Sequence, residues 1–164
     1  MVGKLRNMTS IYLYNEENEI LMLYRIGSRV IEDSYIGTAG GHFEKDEIND
    51  ANKCILRELY EETGLTNKDI DNIELKYVTL RYKDEEIRQN YYFFAKLIDS
   101  KRTIKSNEGE LNWFKFNEIK KLNVPHTAKY VIEHYIKEGK NTNKIYGGIA
   151  EKDGINFIEL KQFS

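Results

Sequence analysis

The interval from Asp50 to Leu65 constrains this chain more than any other. Asp50 suits the start of a helix, Gly64 suits the position just past its end, and nothing between them breaks one. A helix is predicted over 51–63. With an advance of about 100° per residue, Ala51, Cys54 and Ile55 share an arc with Glu58, Glu61 and Glu62. Leu56 and Tyr60 lie on the opposite side. One stripe therefore begins apolar and ends acidic. Glu58 and Glu62 stand at i and i+4, where like charges destabilise an isolated helix by a few tenths of a kcal/mol. Either this end turns into solvent with Arg57 offsetting part of the charge, or the carboxylates converge on a divalent cation. Hard oxygen donors suit Mg²⁺ or Mn²⁺, whose charge removes the repulsion. The helix alone leaves both readings open.

Around that helix the pattern is mostly strand. Residues 10–14 and 20–26 read as a hairpin across a turn at 15–19. Residues 36–46 lose periodicity and gather glycines. A second hairpin is predicted over 75–82 and 87–97, across the charged turn 83–86, and a single strand over 110–116. Val124-Pro125 opens a helix to about residue 138. A third hairpin spans about 144–161, turned at Asp153-Gly154. The class is α+β with a mixed sheet. Residues 1–164 read as one domain, with the last 25 residues a candidate appendage to the core.

Composition narrows the function classes. A length of 164 residues is about one domain, long enough to bury roughly 70% of its unfolded surface. Twenty-five Lys and Arg against 27 Asp and Glu give a charge of −2, which argues against binding many backbone phosphates of a nucleic acid but not against a single nucleotide. A lone cysteine, Cys54, excludes a disulfide framework and fits a reducing compartment. The longest apolar stretches, 91–95 and 20–24, fall far short of the roughly 20 residues that span a bilayer, and residues 1–7 lack the apolar block of a secretory signal. A cytoplasmic protein is expected, with no membrane and no nucleic-acid partner.

The residues before the helix favour the cation. Gly40-Gly41 lets backbone approach a ligand and leaves amides and carbonyls uncovered. Gly41-His42-Phe43-Glu44-Lys45-Asp46-Glu47, followed by Arg57-Glu58-Leu59-Tyr60-Glu61-Glu62-Thr63-Gly64-Leu65, closely resembles the Nudix box of the MutT-like Nudix hydrolases. The box spans about 41–65, and its last nine positions match throughout. The spacing departs from the family's: nine residues, not seven, separate Glu47 from Arg57. Counting forward from Gly41 assigns the box's first glutamate to Glu47; counting back from Arg57 assigns that place to Asn49.

The resemblance implies an α/β/α sandwich with a loop–helix–loop box on a mixed sheet. It also implies Mg²⁺- or Mn²⁺-dependent hydrolysis of a nucleoside diphosphate linked to another group. Glu58, Glu61 and Glu62 would hold metal with the Gly40 carbonyl, and Arg57 would orient the carboxylates. The general base stays open among Glu108, Glu110, Glu61 and Glu58, with Glu47 counted among the catalytic candidates. Arg25, His42, Arg81, Arg88 and Asn90 are candidate substrate contacts. Trp113, His126 and His134 read as structural, and Cys54 as an inert buried thiol.

A canonical or oxidised (d)NTP is the leading substrate class, with sugar nucleotides, ADP-ribose and dinucleoside polyphosphates as alternatives. A regulatory module that binds a nucleotide without turnover is the rival from another class; the retained carboxylates argue against it. A homodimer stays open.

Overall fold

The computed structural model describes residues 3–25 and 33–164. In chain order these form β1 (Lys4–Tyr14), β2 (Glu19–Arg25), β3 (Tyr35–Ile36), β4 (Ala39–His42) and α1 (Ala51–Thr63). Then come β5 (Ile70–Lys83), β6 (Glu86–Leu97), β7 (Gly109–Lys115), α2 (His126–Lys137), β8 (Tyr146–Glu151) and β9 (Gly154–Glu159). The end of the predicted second strand, Ile26, lies outside the described residues.

One mixed sheet carries every described strand, in the order β3-β2-β1-β6-β5-β8-β9, with β4 added to β1 and β7 to β2. β1 runs parallel to β6 along its whole length, from Lys4↔Glu86 to Tyr14↔Lys96. Its other edge is shared. Next to the turn it pairs with β2 through only Leu13↔Leu21 and Tyr14↔Ile20, and from Ile11 to Met8 it pairs with β4 instead. β2 meanwhile turns away to pair with β7 from Glu19↔Lys115 to Arg25↔Gly109. The sheet therefore forks between β1 and β2.

Thr38 fills the crotch of the fork. Its hydroxyl donates to the Leu21 carbonyl (2.7 Å) and accepts from the Leu13 amide (3.1 Å), while its own amide donates to the Ile11 carbonyl (2.8 Å). Fully buried, this one residue satisfies backbone groups that the parting strands leave without each other.

The pleat sends alternate residues to two faces. Ile11, Leu13, Leu21, Phe93 and Ala95 meet Ile55 and Leu59 of α1 on one side. Tyr12, Ile20, Met22, Tyr77 and Phe94 meet Val131, Ile132 and Tyr135 of α2 on the other. The Phe94 and Tyr135 rings stack with centroids 3.6 Å apart. Each of the large aliphatic and phenylalanine side chains contributes roughly 1.5–3 kcal/mol on burial, and the outcome is an α/β/α sandwich. No described helix is long and apolar enough to cross a membrane.

Several boundaries move for physical reasons. β1 starts at Lys4, six residues before its apolar part, because β6 supplies a continuous parallel partner. β5 likewise starts at Ile70. The β5–β6 turn closes on Asp84 and Glu85, both at positive φ (55° and 61°), in the conformation that two-residue hairpins require. Pro125 caps α2 rather than beginning it. β8 runs parallel to β5 and β9 pairs with β8, so residues 146–159 extend the central sheet and are not an appendage.

Candidate active site

α1 is placed by its ends. The Asp50 carboxylate accepts from the Lys53 amide (3.0 Å), and Gly64 takes the left-handed conformation (φ 74°) with its amide donating to the Tyr60 carbonyl (2.8 Å). The apolar part of the stripe, Cys54, Ile55 and Leu59, is buried against the sheet. The acidic part emerges beside β4. There the two glycines are required by close approach: a Cβ on Gly40 would collide with the Thr9 carbonyl, and one on Gly41 with the Glu58 carboxylate. Glu58 thus lies directly on the β4 backbone.

Arg57 organises this cluster. Its Nε and Nη2 donate to the two oxygens of Glu47 at 2.6 and 3.0 Å, a bidentate pair, and its Nη1 donates to Glu61 at 2.9 Å. Nη2 also lies 3.0 Å from Glu58 and donates to the His42 carbonyl at 3.1 Å. Such a planar fork serves several carboxylates at fixed angles, which a lysine could not do.

Glu47, with its side chain 1% exposed, receives a further hydrogen bond from the Glu44 amide (3.0 Å). Arg57, more than burial, decides its titration: the guanidinium holds the carboxyl down at about 2. The box spacing is thereby resolved in geometry. Glu47, not the exposed Asn49, reaches Arg57, and two successive turns, Glu44–Glu47 and Glu47–Asp50, take up the extra length.

Glu62 turns the other way, toward Gly40. Burial first, then the like charges of Glu58 and Glu108, push its carboxyl up to about 7. Burial also raises Glu58, against the pull of Arg57. Glu108 is brought near by a clip: Asn107 donates its amide to the Glu62 carbonyl (3.1 Å) and its side-chain nitrogen to the Glu61 carbonyl (3.0 Å). Arg25, at the end of β2, lies 3.6 Å from Glu108. Glu110 pairs in register with Tyr24, one residue along from the Arg25↔Gly109 pair, so it points to the opposite face of the sheet.

The remaining sequence-derived candidates divide. His42 ends β4, and its Nε2 accepts from Arg6 Nε (3.0 Å). Burial, then the charge of Arg6, lowers its pKa. Arg81, Arg88 and Asn90 sit farther along the sheet on β5 and β6. Arg88 is engaged by Glu86 (3.0 Å) and Asp84 (3.2 Å), and Asn90 faces the Tyr92 hydroxyl (3.5 Å). Cys54 bonds Thr9 Oγ1 (3.3 Å), and burial pushes its thiol up to about 11. His126 bonds the Glu151 carbonyl and His134 the Tyr77 hydroxyl, both structural contacts. Arg6, Thr38 and Asn107 carried no signal in the sequence, since each acts through a partner more than 15 positions away.

Among the described residues, the acids whose oxygens gather within 4.8 Å are Glu44, Asp46 and Glu47, and of these Glu47 is already neutralised by Arg57. A second acidic group lies beside β4. Glu58 and Glu62 crowd each other beside two glycines whose bare backbone lets the Thr9 carbonyl and the Glu58 carboxylate approach closely. Hard carboxylate oxygens of this kind suit a divalent ion, whose charge would offset the repulsion that adds to burial in raising Glu62.

Comparison with known proteins agrees with this geometry. The NUDIX domain family matches residues 4–135. The mutator MutT protein from Bacillus halodurans superposes with a TM-score of 0.63 at 21% identity, covering 95% of both chains. MutT from Methanosarcina mazei Go1 gives 0.69 at 20% identity over 86% of this chain and 99% of its own. A C. elegans Ap4A hydrolase gives 0.65 at 14% identity, over 80% and 96% respectively. No curated protein matches the chain in sequence. With the match covering most of its length, the chain belongs to the NUDIX domain family and is an enzyme of the Nudix pyrophosphohydrolase kind.

Proposed function

We propose that this enzyme hydrolyses a pyrophosphate bond in a nucleoside di- or triphosphate derivative, using Mg²⁺ or Mn²⁺ held by Glu58, Glu61, Glu62 and the Gly40 carbonyl. The observation that carries the reading is the pairing of Arg57 with Glu47, Glu58 and Glu61 beside a glycine backbone that a Cβ would block. The cation, when bound, would neutralise phosphate charge and lower the pKa of the attacking water.

The protein's own part is positional. Arg57 fixes the direction of Glu58 and Glu61, and Glu47 fixes Arg57. Gly40 and Gly41 let β4 pack closely against Thr9 and Glu58. Glu108, held over the end of α1 by the Asn107 clip and near Glu62, is the better candidate to take a proton from water than Glu110, which lies on the face of β7 away from Arg25. Arg25 lies 3.6 Å from Glu108 and would meet a phosphate once it leaves that carboxylate. Hydrolysis at phosphorus asks for this kind of positioning and charge stabilisation rather than for a covalent protein nucleophile.

The test is release of phosphate or pyrophosphate from a panel of nucleoside diphosphate derivatives, with Mg²⁺ or Mn²⁺ and with chelator. Turnover should require the divalent ion. Glu62→Gln should lower kcat by several orders of magnitude in a folded protein, and Glu108→Gln should lower it more than Glu110→Gln. Near-normal turnover by Glu62→Gln, or in chelator, overturns the reading.

A further inference from the structure

The face of the sheet that carries α2 continues, beyond the helix, into a row of arginines. Arg6 of β1 is in register with Arg88 of β6, and Arg88 with Arg81 of β5. Partners in register share a face with Cβ atoms about 5 Å apart, where like charges destabilise a sheet. The next row outward, Lys4↔Glu86↔Lys83, adds two cations and one carboxylate.

Internal neutralisation is incomplete. Arg88 uses Glu86 and Asp84. Arg6 Nε spends its donor on His42 Nε2, a neutral acceptor that returns no charge. Among the described residues Arg81 forms no ion pair. All three side chains retain partial solvent contact. Among the described residues, three guanidiniums thus cross three adjacent strands, one without an ion pair and one hydrogen-bonded to an imidazole, an arrangement suited to a multiply charged anion.

The row also lies on the strand that reaches the catalytic edge. Ser10 of β1 pairs with Gly40, and Arg6 is four residues away on the same face, about 13 Å at roughly 3.3 Å per residue. Met8, Asn90 and Thr79 floor the space between. An arginine side chain spans about half of that distance. A substrate whose pyrophosphate lies at Gly40 would present to the row any anion carried on its sugar or at its far end.

We propose that the arginine row Arg6–Arg88–Arg81 binds a second phosphate of the substrate, a phosphomonoester separate from the pyrophosphate that is cut. The inference rests on the reading of this chain as a nucleotide pyrophosphohydrolase and narrows its substrate class to derivatives with an additional phosphate.

Binding can be measured apart from turnover. Calorimetry in chelator, at about 0.1 M salt where screening acts over roughly 10 Å, should compare adenosine and guanosine 5′-monophosphates with their 2′,5′- and 3′,5′-bisphosphates. At least one bisphosphate should bind tenfold or more tighter than its monophosphate. Preference for the 2′ or the 3′ form identifies the position read. In Arg81→Met and in Arg6→Met, each checked by thermal unfolding, that ratio should fall toward one, and Arg81→Lys should restore part of it. Equal affinities throughout, no binding of any bisphosphate, or a ratio unchanged in both Met variants overturns the proposal. A separate arm measures cleavage of nicotinamide dinucleotide and coenzyme A with and without their ribose phosphates. Absence of cleavage there counts against the hydrolase reading, while the calorimetric ratio still decides the row.

Discussion

Replacing Glu47 by Gln removes one charge and keeps nearly the same shape, so it isolates what the buried pair with Arg57 contributes. The carboxyl stands at about 2 in the folded chain against an ordinary 4.5, which by linkage corresponds to about 3 kcal/mol of stability at pH 7. An independent route gives a similar size. Two hydrogen bonds to a charged group are each worth roughly 1.5–3 kcal/mol, but Arg57 keeps Glu58, Glu61 and the His42 carbonyl as partners. A loss of about 2–3 kcal/mol is therefore expected, at the low end for breaking a buried pair. Because the folded pKa is depressed, the contribution is fully present above pH 4.5 and disappears as pH falls through 2. Roughly half should remain at pH 3. Urea denaturation of both proteins at pH 7, 4 and 3 measures this directly. A difference below about 0.5 kcal/mol at pH 7, set against the linkage value, or one that fails to narrow toward pH 3, would refute the account.

Two further substitutions probe the frame around the site. Gly41→Ala forces the Glu58 carboxylate off the β4 backbone; turnover should drop about a hundredfold, as misplacement by an ångström does, while circular dichroism stays native. Thr38→Val keeps the shape of the plug but strands the Leu13 amide and the Leu21 carbonyl. Chemical unfolding should register a loss of about 2–3 kcal/mol, and a neutral result would mean that the fork closes without it.

What could be read from the sequence depended on how local its cause was. The span of α1 was legible to the residue, since Asp50, Gly64 and the apolar arc all lie within it. The class, the three hairpin turns and α2 were legible from turn chemistry and periodicity. β3 and β4 were not, because Gly40 and Gly41 serve as strand residues only where β1 passes beside them. The ends of β1 and β5 were hidden for the same reason: polar residues become strand when a long partner supplies the ladder. In the site, Glu58, Glu61 and Glu62 were found as a stripe, but their division was not. Arg57 draws Glu61 and Glu58 to one side while Gly40 and burial receive Glu62 on the other. Glu108 and Glu110 differ by two positions and looked alike. A loop clip at Asn107 and the register of β7 against β2 separate them.

The fork in the sheet gives these facts a common cause. Had β1 and β2 stayed paired, their facing edges would have satisfied each other and left no exposed backbone between them. Parting after two residue pairs, β1 acquires the glycine strand β4 and β2 acquires β7. The first carries Gly40 and Gly41 to the end of α1. The second carries Gly109 to Arg25, with Glu108 just before it. The acidic half of the helix is thus met from two sides by chain segments that only the split brings together. Close packing of the glycines then holds Glu58 and Glu62 where burial works against their charge. A helix in water would relax such crowding by turning its glutamates outward, at a cost of tenths of a kcal/mol. Here Arg57, buried bonds at Glu47 and the Thr38 plug keep the crowded arrangement in place. The stability of the frame is what keeps the carboxylates crowded together at the end of the helix.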